Sequence, residues 1–113
     1  INMANIANLL VDQGTDFETT ISYTDDAGSP KDLTNYSARS QMRKSYYSTN
    51  AAATFETTIN AANGEVTLSL TSATTSNVKS GRYLYDVELV ENTTSKVTRL
   101  VEGIVTVMPE VTK

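Results

Sequence analysis

Carboxylates and tyrosines carry most of the chemistry this chain has to offer, because it contains neither histidine nor cysteine. Without histidine, the usual nucleophile–base triads and imidazole metal sites cannot be built. Without cysteine there is no disulfide framework, zinc–thiolate site or thiol redox couple. Asp25, Asp26 and Asp32 fall close together, and hard cations such as Ca²⁺ take carboxylates on flexible loops. Their spacing matches no calcium-loop pattern, however, and Asp25-Asp26-Ala27-Gly28-Ser29-Pro30-Lys31-Asp32 reads as turn chemistry throughout. Asp12 and Asp16, flanking Gly14, read the same way. Asp86 and Glu88 share a strand face, whereas glycoside hydrolysis sets two acids across a cleft. The sequence therefore predicts no catalytic residue, no metal site and no cofactor, and a protein that is not an enzyme.

Two features suit binding instead. Tyr46 and Tyr47 lie side by side in an expected loop, where aromatic pairs stack on sugars or anchor an interface. The simpler expectation is that one ring plugs the end of the domain. The apolar element around Ile6, Leu9, Leu10 and Val11 is a candidate assembly arm, since an extended segment adds to the open sheet edge of a neighbouring copy. The alternative is an ordinary edge strand of the same domain. Asn35-Tyr36-Ser37 and Asn92-Thr93-Thr94 match the glycosylation triplet but read as turns.

Charge narrows the partners. Nine basic and thirteen acidic residues give a net charge of −4, and Arg39, Arg43 and Lys44 form the one basic cluster. Phosphate backbones need a basic face, so nucleic acid is not an expected partner. No run approaches the roughly 18 apolar residues of a membrane span, so no membrane insertion is expected. Residues 1–11 lack the basic start and cleavage site of a signal peptide, and Met3 reads as a natural start preceded by Ile1 and Asn2.

The elements that would position these residues are strands. In 81–90, Tyr83, Tyr85, Val87 and Leu89 fall on one face, with Asp86 and Glu88 on the other. In 16–24 the apolar face is Phe17, Thr19, Ile21 and Tyr23. In 36–44 Tyr36, Ala38, Ser40 and Met42 oppose Arg39, Gln41 and Arg43. Residues 55–59 and 65–70 form a hairpin around Asn63-Gly64, with Val66, Leu68 and Leu70 inward. Thr71 or Ser72 caps one short helical turn anchored by Val78, with Gly81 as its exit. The last strand, 96–108, is apolar on both faces (Val101, Val105 and Val107 against Leu100, Ile104 and Met108). It either lies centrally or is covered by a partner, and Gly103 marks a bulge. Arg39 and Arg43 are expected to face Asp86 and Glu88 across neighbouring strands.

About seven strands at this spacing in a chain of 113 residues predict a single all-β domain. The expected fold is an immunoglobulin-like antiparallel β-sandwich with one short helical turn; a jelly roll or small barrel is the alternative. The turn leading through Gly81 into Tyr83-Leu84-Tyr85 occupies the place of an immunoglobulin tyrosine corner. Tyr83 is the expected corner residue and Tyr85 the inter-sheet core residue.

From Gln13 onward the chain also resembles small tailed-phage virion proteins related to the N-terminal immunoglobulin-like domain of phage baseplate upper proteins. The resemblance lies in Asp16-Phe17, the run Thr24 to Arg39 through Gly28-Ser29-Pro30-Lys31-Asp32-Leu33, Asn63-Gly64-Glu65-Val66-Thr67-Leu68-Ser69-Leu70, the strand Gly81 to Leu89, and the closing Val97 to Thr112. It implies a virion structural protein made in the host cytoplasm, a tail or baseplate adaptor or decoration subunit whose partners are other virion proteins, with self-association also expected. It implies no catalytic residue. A carbohydrate-binding or adhesive module using Tyr46 and Tyr47, and a fragment of a tandem-repeat bacterial surface protein, are the competing expectations.

Overall fold

The computed structural model describes residues 5–24 and 27–112. Nine strands and one helical turn follow in order: β1 (Asn5–Ile6), β2 (Leu9–Asp12), β3 (Phe17–Ser22), β4 (Tyr36–Arg43), β5 (Ala53–Thr54), β6 (Glu56–Asn60), β7 (Glu65–Leu70), α1 (Ser72–Ser76), β8 (Gly81–Glu91) and β9 (Val97–Met108). They form two sheets. The larger has the order β1-β9-β8-β4-β5, with β2 also on β9; the smaller is β3-β7-β6. This is the immunoglobulin-like sandwich, with β4, β8 and β9 as the centre of one sheet and β3 and β7 in the other. The larger sheet is mixed, because β1 and β2 both run parallel to β9.

Alternation decides what fills the space between the sheets. Val66, Leu68 and Leu70 of β7 face Tyr83, Tyr85, Val87 and Leu89 of β8, and all are buried. Phe55 links the two layers through rings, 6.1 Å from Phe17 and 6.0 Å from Tyr85. The tyrosine corner is present: the Tyr83 hydroxyl donates to the Lys79 carbonyl at 2.6 Å, four residues upstream. Thr71 caps α1 through its side chain, Val78 is buried, and the helix ends at Asn77. Gly81 is therefore not the helix exit. It opens β8 at φ 138°, a conformation that side chains rarely adopt.

β9 is central, flanked by β8 and by the N-terminal strands, but only its inner face is buried: Val101, Val105 and Val107 lie in the core, whereas Ile104 and Met108 stay exposed on the outer face. Its irregularity lies at Leu100 and not at Gly103. Val87 pairs with Val101 and Glu88 with Arg99, so Leu100 is the extra residue, and it turns into the core. Gly103 serves a different purpose. Asn5 to Asp12 keeps one register along β9 but breaks at Ala7 and Asn8, which pass over Gly103. There the Ala7 amide donates to the Glu102 carbonyl at 2.9 Å, and the Ala7 carbonyl turns inward to accept from the Tyr85 hydroxyl at 2.5 Å. The Asn8 side chain takes over the missing ladder bond by accepting from the Ile104 amide at 3.0 Å.

Candidate functional site

The outer face of the larger sheet gathers most of the exposed chemistry. Its apolar half follows from register. Ile6 pairs with Glu102 and Leu10 with Thr106, which sets Ile6 diagonally against Ile104, and Leu10 diagonally against both Ile104 and Met108, on the same face of β9. Ile6 is 76% exposed, Leu10 61%, Met108 44% and Ile104 38%, so four apolar side chains stand together in water. Leu84, paired with Ile104, extends the band toward β4.

The remainder of this face is ionic. Arg39 pairs with Glu88 at 2.7 Å, as the strand alternation predicts. Arg43 does not reach Asp86. It donates instead to the Ser48 and Thr49 carbonyls, both at 3.1 Å, and to the Gln41 side chain at 2.8 Å, and so holds the following loop. Asp86 is served by Arg99 at 3.3 Å, and the same guanidinium binds Glu102 at 2.9 Å. Exposed pairs of this kind contribute about 0.2–1 kcal/mol each. Nothing in the sequence pattern points to Arg99, because the Leu100 bulge sets its register and leaves no mark in a strand apolar on both faces.

Tyr46 is 76% exposed and Tyr47 95%, so neither ring plugs the end of the sandwich. The loop is fixed without them. Its backbone is tied by the Ser45 amide to the Ser48 hydroxyl at 3.0 Å, by the Ser48 amide to the Ser45 carbonyl at 3.2 Å, and by Arg43. A polar network that satisfies the loop leaves both rings in solvent. Tyr46 borders a shallow depression of about 210 Å³ whose floor and rim include Arg43, Leu84, Asp86, Arg99 and Glu102.

The candidate arm lies on its own sheet. Val11 is buried and Leu9 half-buried, both against the core, whereas Ile6 and Leu10 point outward. Of the described acids read as turns, Asp32 makes local turn bonds, whereas Asp12 ends β2 and Asp16 reaches across to the start of α1. Asp32 accepts from the Thr34 amide and hydroxyl, and Asp16 accepts from the Ser72 amide at 2.7 Å. Among the described residues no group of three or more acidic side chains is arranged to hold a metal ion. Asp25, Asp26, Ile1, Asn2 and Met3 lie outside the described residues. Among the described residues no helix is long and apolar enough to cross a membrane.

Among the described residues three carboxylates depart from ordinary behaviour: hydrogen bonds from the Thr34 hydroxyl and amide hold Asp32 low, and Asp86 and Glu91 shift in opposite directions. Burial, then the neighbouring Glu88, pushes Asp86 above 3.8, and Arg99 only partly opposes this. Hydrogen bonds from Thr94 and Tyr36 hold Glu91 below 4.5. Glu91 thus contributes stability that is present above 4.5 and lost as pH falls through its folded value. The contribution of Asp86 has the other sign and weakens as pH rises above 3.8. Carboxylate NMR titration is expected to show Asp86 protonating above 3.8 and Glu91 below 4.5. Two ordinary values would contradict the hydrogen-bond and burial pattern described.

Comparison of the chain with protein-family models and with curated proteins returned no match.

Proposed function

We propose that this chain is a non-enzymatic structural subunit of a tailed-phage particle, acting in the tail or baseplate by protein–protein contact. One observation carries the contact reading: the exposed cluster of Ile6, Leu10, Ile104 and Met108 on the outer face of the larger sheet. Single exposed apolar residues are ordinary, but a contiguous patch rimmed by charge marks an interaction surface. The rim here is Arg99, Glu102 and Asp86. A neighbouring virion protein covering this face would remove the four side chains from water and read the ion pairs for register. The virion setting rests on the resemblance of the residues between Gln13 and Thr112 to baseplate-type immunoglobulin-like domains, and on that reading the protein is made in the host cytoplasm and assembled into the particle.

The test is direct. Antibody against this chain is expected to label the tails of particles purified from the source culture. Leu10→Glu with Ile104→Glu should leave the fold intact by circular dichroism yet keep the chain out of particles. Purified particles that lack the chain would overturn the virion reading. Particles that incorporate the double variant normally would remove this face from the contact.

The exposure of Tyr46 and Tyr47 favours a second reading, a glycan contact. A ring beside Arg43, Asp86 and Glu102 offers a stacking surface with hydrogen-bonding groups around it. Sugar binding abolished by Tyr46→Ala with Tyr47→Ala would support it, and a flat glycan screen would sink it.

A further inference from the structure

The edges of the two sheets are not protected equally. In the larger sheet the outermost strands are short, two and four residues at β1 and β2 and two at β5, which limits what can add to them. In the smaller sheet β6 has β4 alongside it, linked by one side chain and by the residue that precedes the strand. The Thr57 hydroxyl donates to the Ala38 carbonyl at 3.0 Å, and the Phe55 amide to the Ser40 carbonyl at 3.0 Å. β3 is different. It runs six residues, pairs among the described residues only with β7, and carries no proline, lysine or bulge. In a constant-type immunoglobulin sandwich the first strand covers this edge. Here the first strands lie across the molecule on β9.

Strand geometry identifies which groups are left open. The Tyr23 amide donates to Gly64 on the β7 side at 2.8 Å, so by alternation Glu18, Thr20 and Ser22 direct their N–H and C=O groups away from β7. Among the described residues no backbone partner reaches them. The inner-face residues report the same gap. Phe17, Ile21 and Tyr23 are only half-buried, whereas Val66 and Leu68 on the adjoining strand are 0% exposed.

We infer that β3 is a pairing edge, and that its occupant is β3 of a second copy of this chain, joined antiparallel about a two-fold axis through Thr20. Self-complementarity selects the occupant. In that register Thr20 opposes Thr20 of the second copy, Glu18 opposes Ser22, Thr19 opposes Ile21, and Phe17 opposes Tyr23. Every outward N–H and C=O of Glu18, Thr20 and Ser22 then has a partner, and the apolar residues meet on the core side. Charge selects the register. Centring on Thr19 instead would bring the two Glu18 side chains to a diagonal spacing of about 7–8 Å. Centring on Thr20 parts them by four residues, about 14 Å, which exceeds a Debye length of about 8 Å. The product is a continuous six-stranded sheet, β6-β7-β3 joined to its own copy. It involves neither the Leu10–Ile104 face nor the virion setting, so it stands apart from the proposed function.

Light scattering of the full chain across a concentration series is expected to show a monomer–dimer equilibrium. Thr20→Pro removes one outward N–H at a position an edge strand tolerates, and Thr20→Lys sets two lysines against each other at the axis. Both are expected to give monomers with unchanged circular dichroism; should the proline variant unfold, the lysine variant decides. Because the chain has no native cysteine, Thr20→Cys is expected to form a disulfide dimer on mild oxidation, whereas Thr58→Cys, on strand β6 with β4 alongside it, does not. A monomer at every concentration, or a dimer that survives Thr20→Lys, would overturn the inference. A dimer lost on Leu10→Glu but kept in Thr20→Lys would move the contact to the larger sheet and overturn it equally.

Discussion

Gly103→Ala is expected to lower the unfolding free energy by about 1–3 kcal/mol, the usual cost of forcing atoms into filled space, and to release the N-terminal strands. The backbone at Gly103 has no left-handed φ, so the effect is purely one of room. A Cβ there would overlap the Ala7 carbonyl and stand 2.9 Å from the Asn8 side-chain oxygen. Those two groups hold the crossing: Ala7 through the Tyr85 hydroxyl and Asn8 through the Ile104 amide. Neither neighbour is the free end of a long side chain able to swing aside. Gly28→Ala provides the contrast, since Gly28 sits at φ 84° with nothing within 4 Å of an added Cβ. It pays only backbone strain, about 1 kcal/mol. Urea unfolding gives the two losses. Hydrogen exchange at the Ala7 and Ile104 amides then separates local release of the arm, expected for Gly103→Ala alone, from general weakening. Protection unchanged at both amides would show that the crossing adapts, and that the glycine is not required for docking the arm.

The core was legible because its strands obey simple alternation over long stretches. Tyr83, Tyr85, Val87 and Leu89 fall inward as spacing predicts, and Tyr83 closes its corner on Lys79. Asn63-Gly64 was legible for a stronger reason. Gly64 sits at φ 63°, and a Cβ there would lie 2.6 Å from the Lys31 carbonyl oxygen and 2.7 Å from that of Tyr23, so composition and geometry agree. The crossing at Gly103 was not legible. A glycine in a strand signals either a bulge or a close backbone approach, and only the partner strand decides between them. The true bulge, Leu100, hides in a run where both faces are apolar, so a slip of one residue changes no pattern. That slip sets the register that brings Arg99 to Asp86, whereas strand alternation alone points to Arg43, which the structure ties to the following loop. The apolar half escaped for another reason. Ile6 and Leu10 read as an arm, but their meeting with Ile104 and Met108 depends on parallel pairing to a strand about a hundred residues away.

Tyr85→Ala is expected to cost about 3–5 kcal/mol, the range for deleting a buried aromatic side chain, and is the largest single loss foreseen. Tyr85 is 4% exposed, meets Phe55 edge-on at 6.0 Å, and holds the Ala7 carbonyl from below the sheet. It therefore joins three parts: the central strand β8, the ring cluster that bridges to β3, and the N-terminal crossing. Tyr85→Phe isolates the hydroxyl. The ring contacts stay, the Ala7 carbonyl loses its inner donor, and a loss of about 1–3 kcal/mol is expected. Alkaline pH supplies an independent check on the same group. Burial pushes the Tyr85 phenol up to about 12 from 10.0, so the folded state retains its proton where the unfolded chain releases it. A raised folded value means that stability is complete below pH 10 and falls as pH rises between 10 and 12. Tyr36, raised mainly by its hydrogen bond to Glu91, adds to the fall with the same sign. The wild-type chain should therefore lose stability steeply above pH 10, and Tyr85→Phe, though weaker at neutral pH, should show a shallower alkaline slope. Unfolding curves at pH 7, 9, 10 and 11 measure both effects. Equal slopes in the two proteins would mean that water reaches the phenol, and the inward turn of the Ala7 carbonyl would then need another cause.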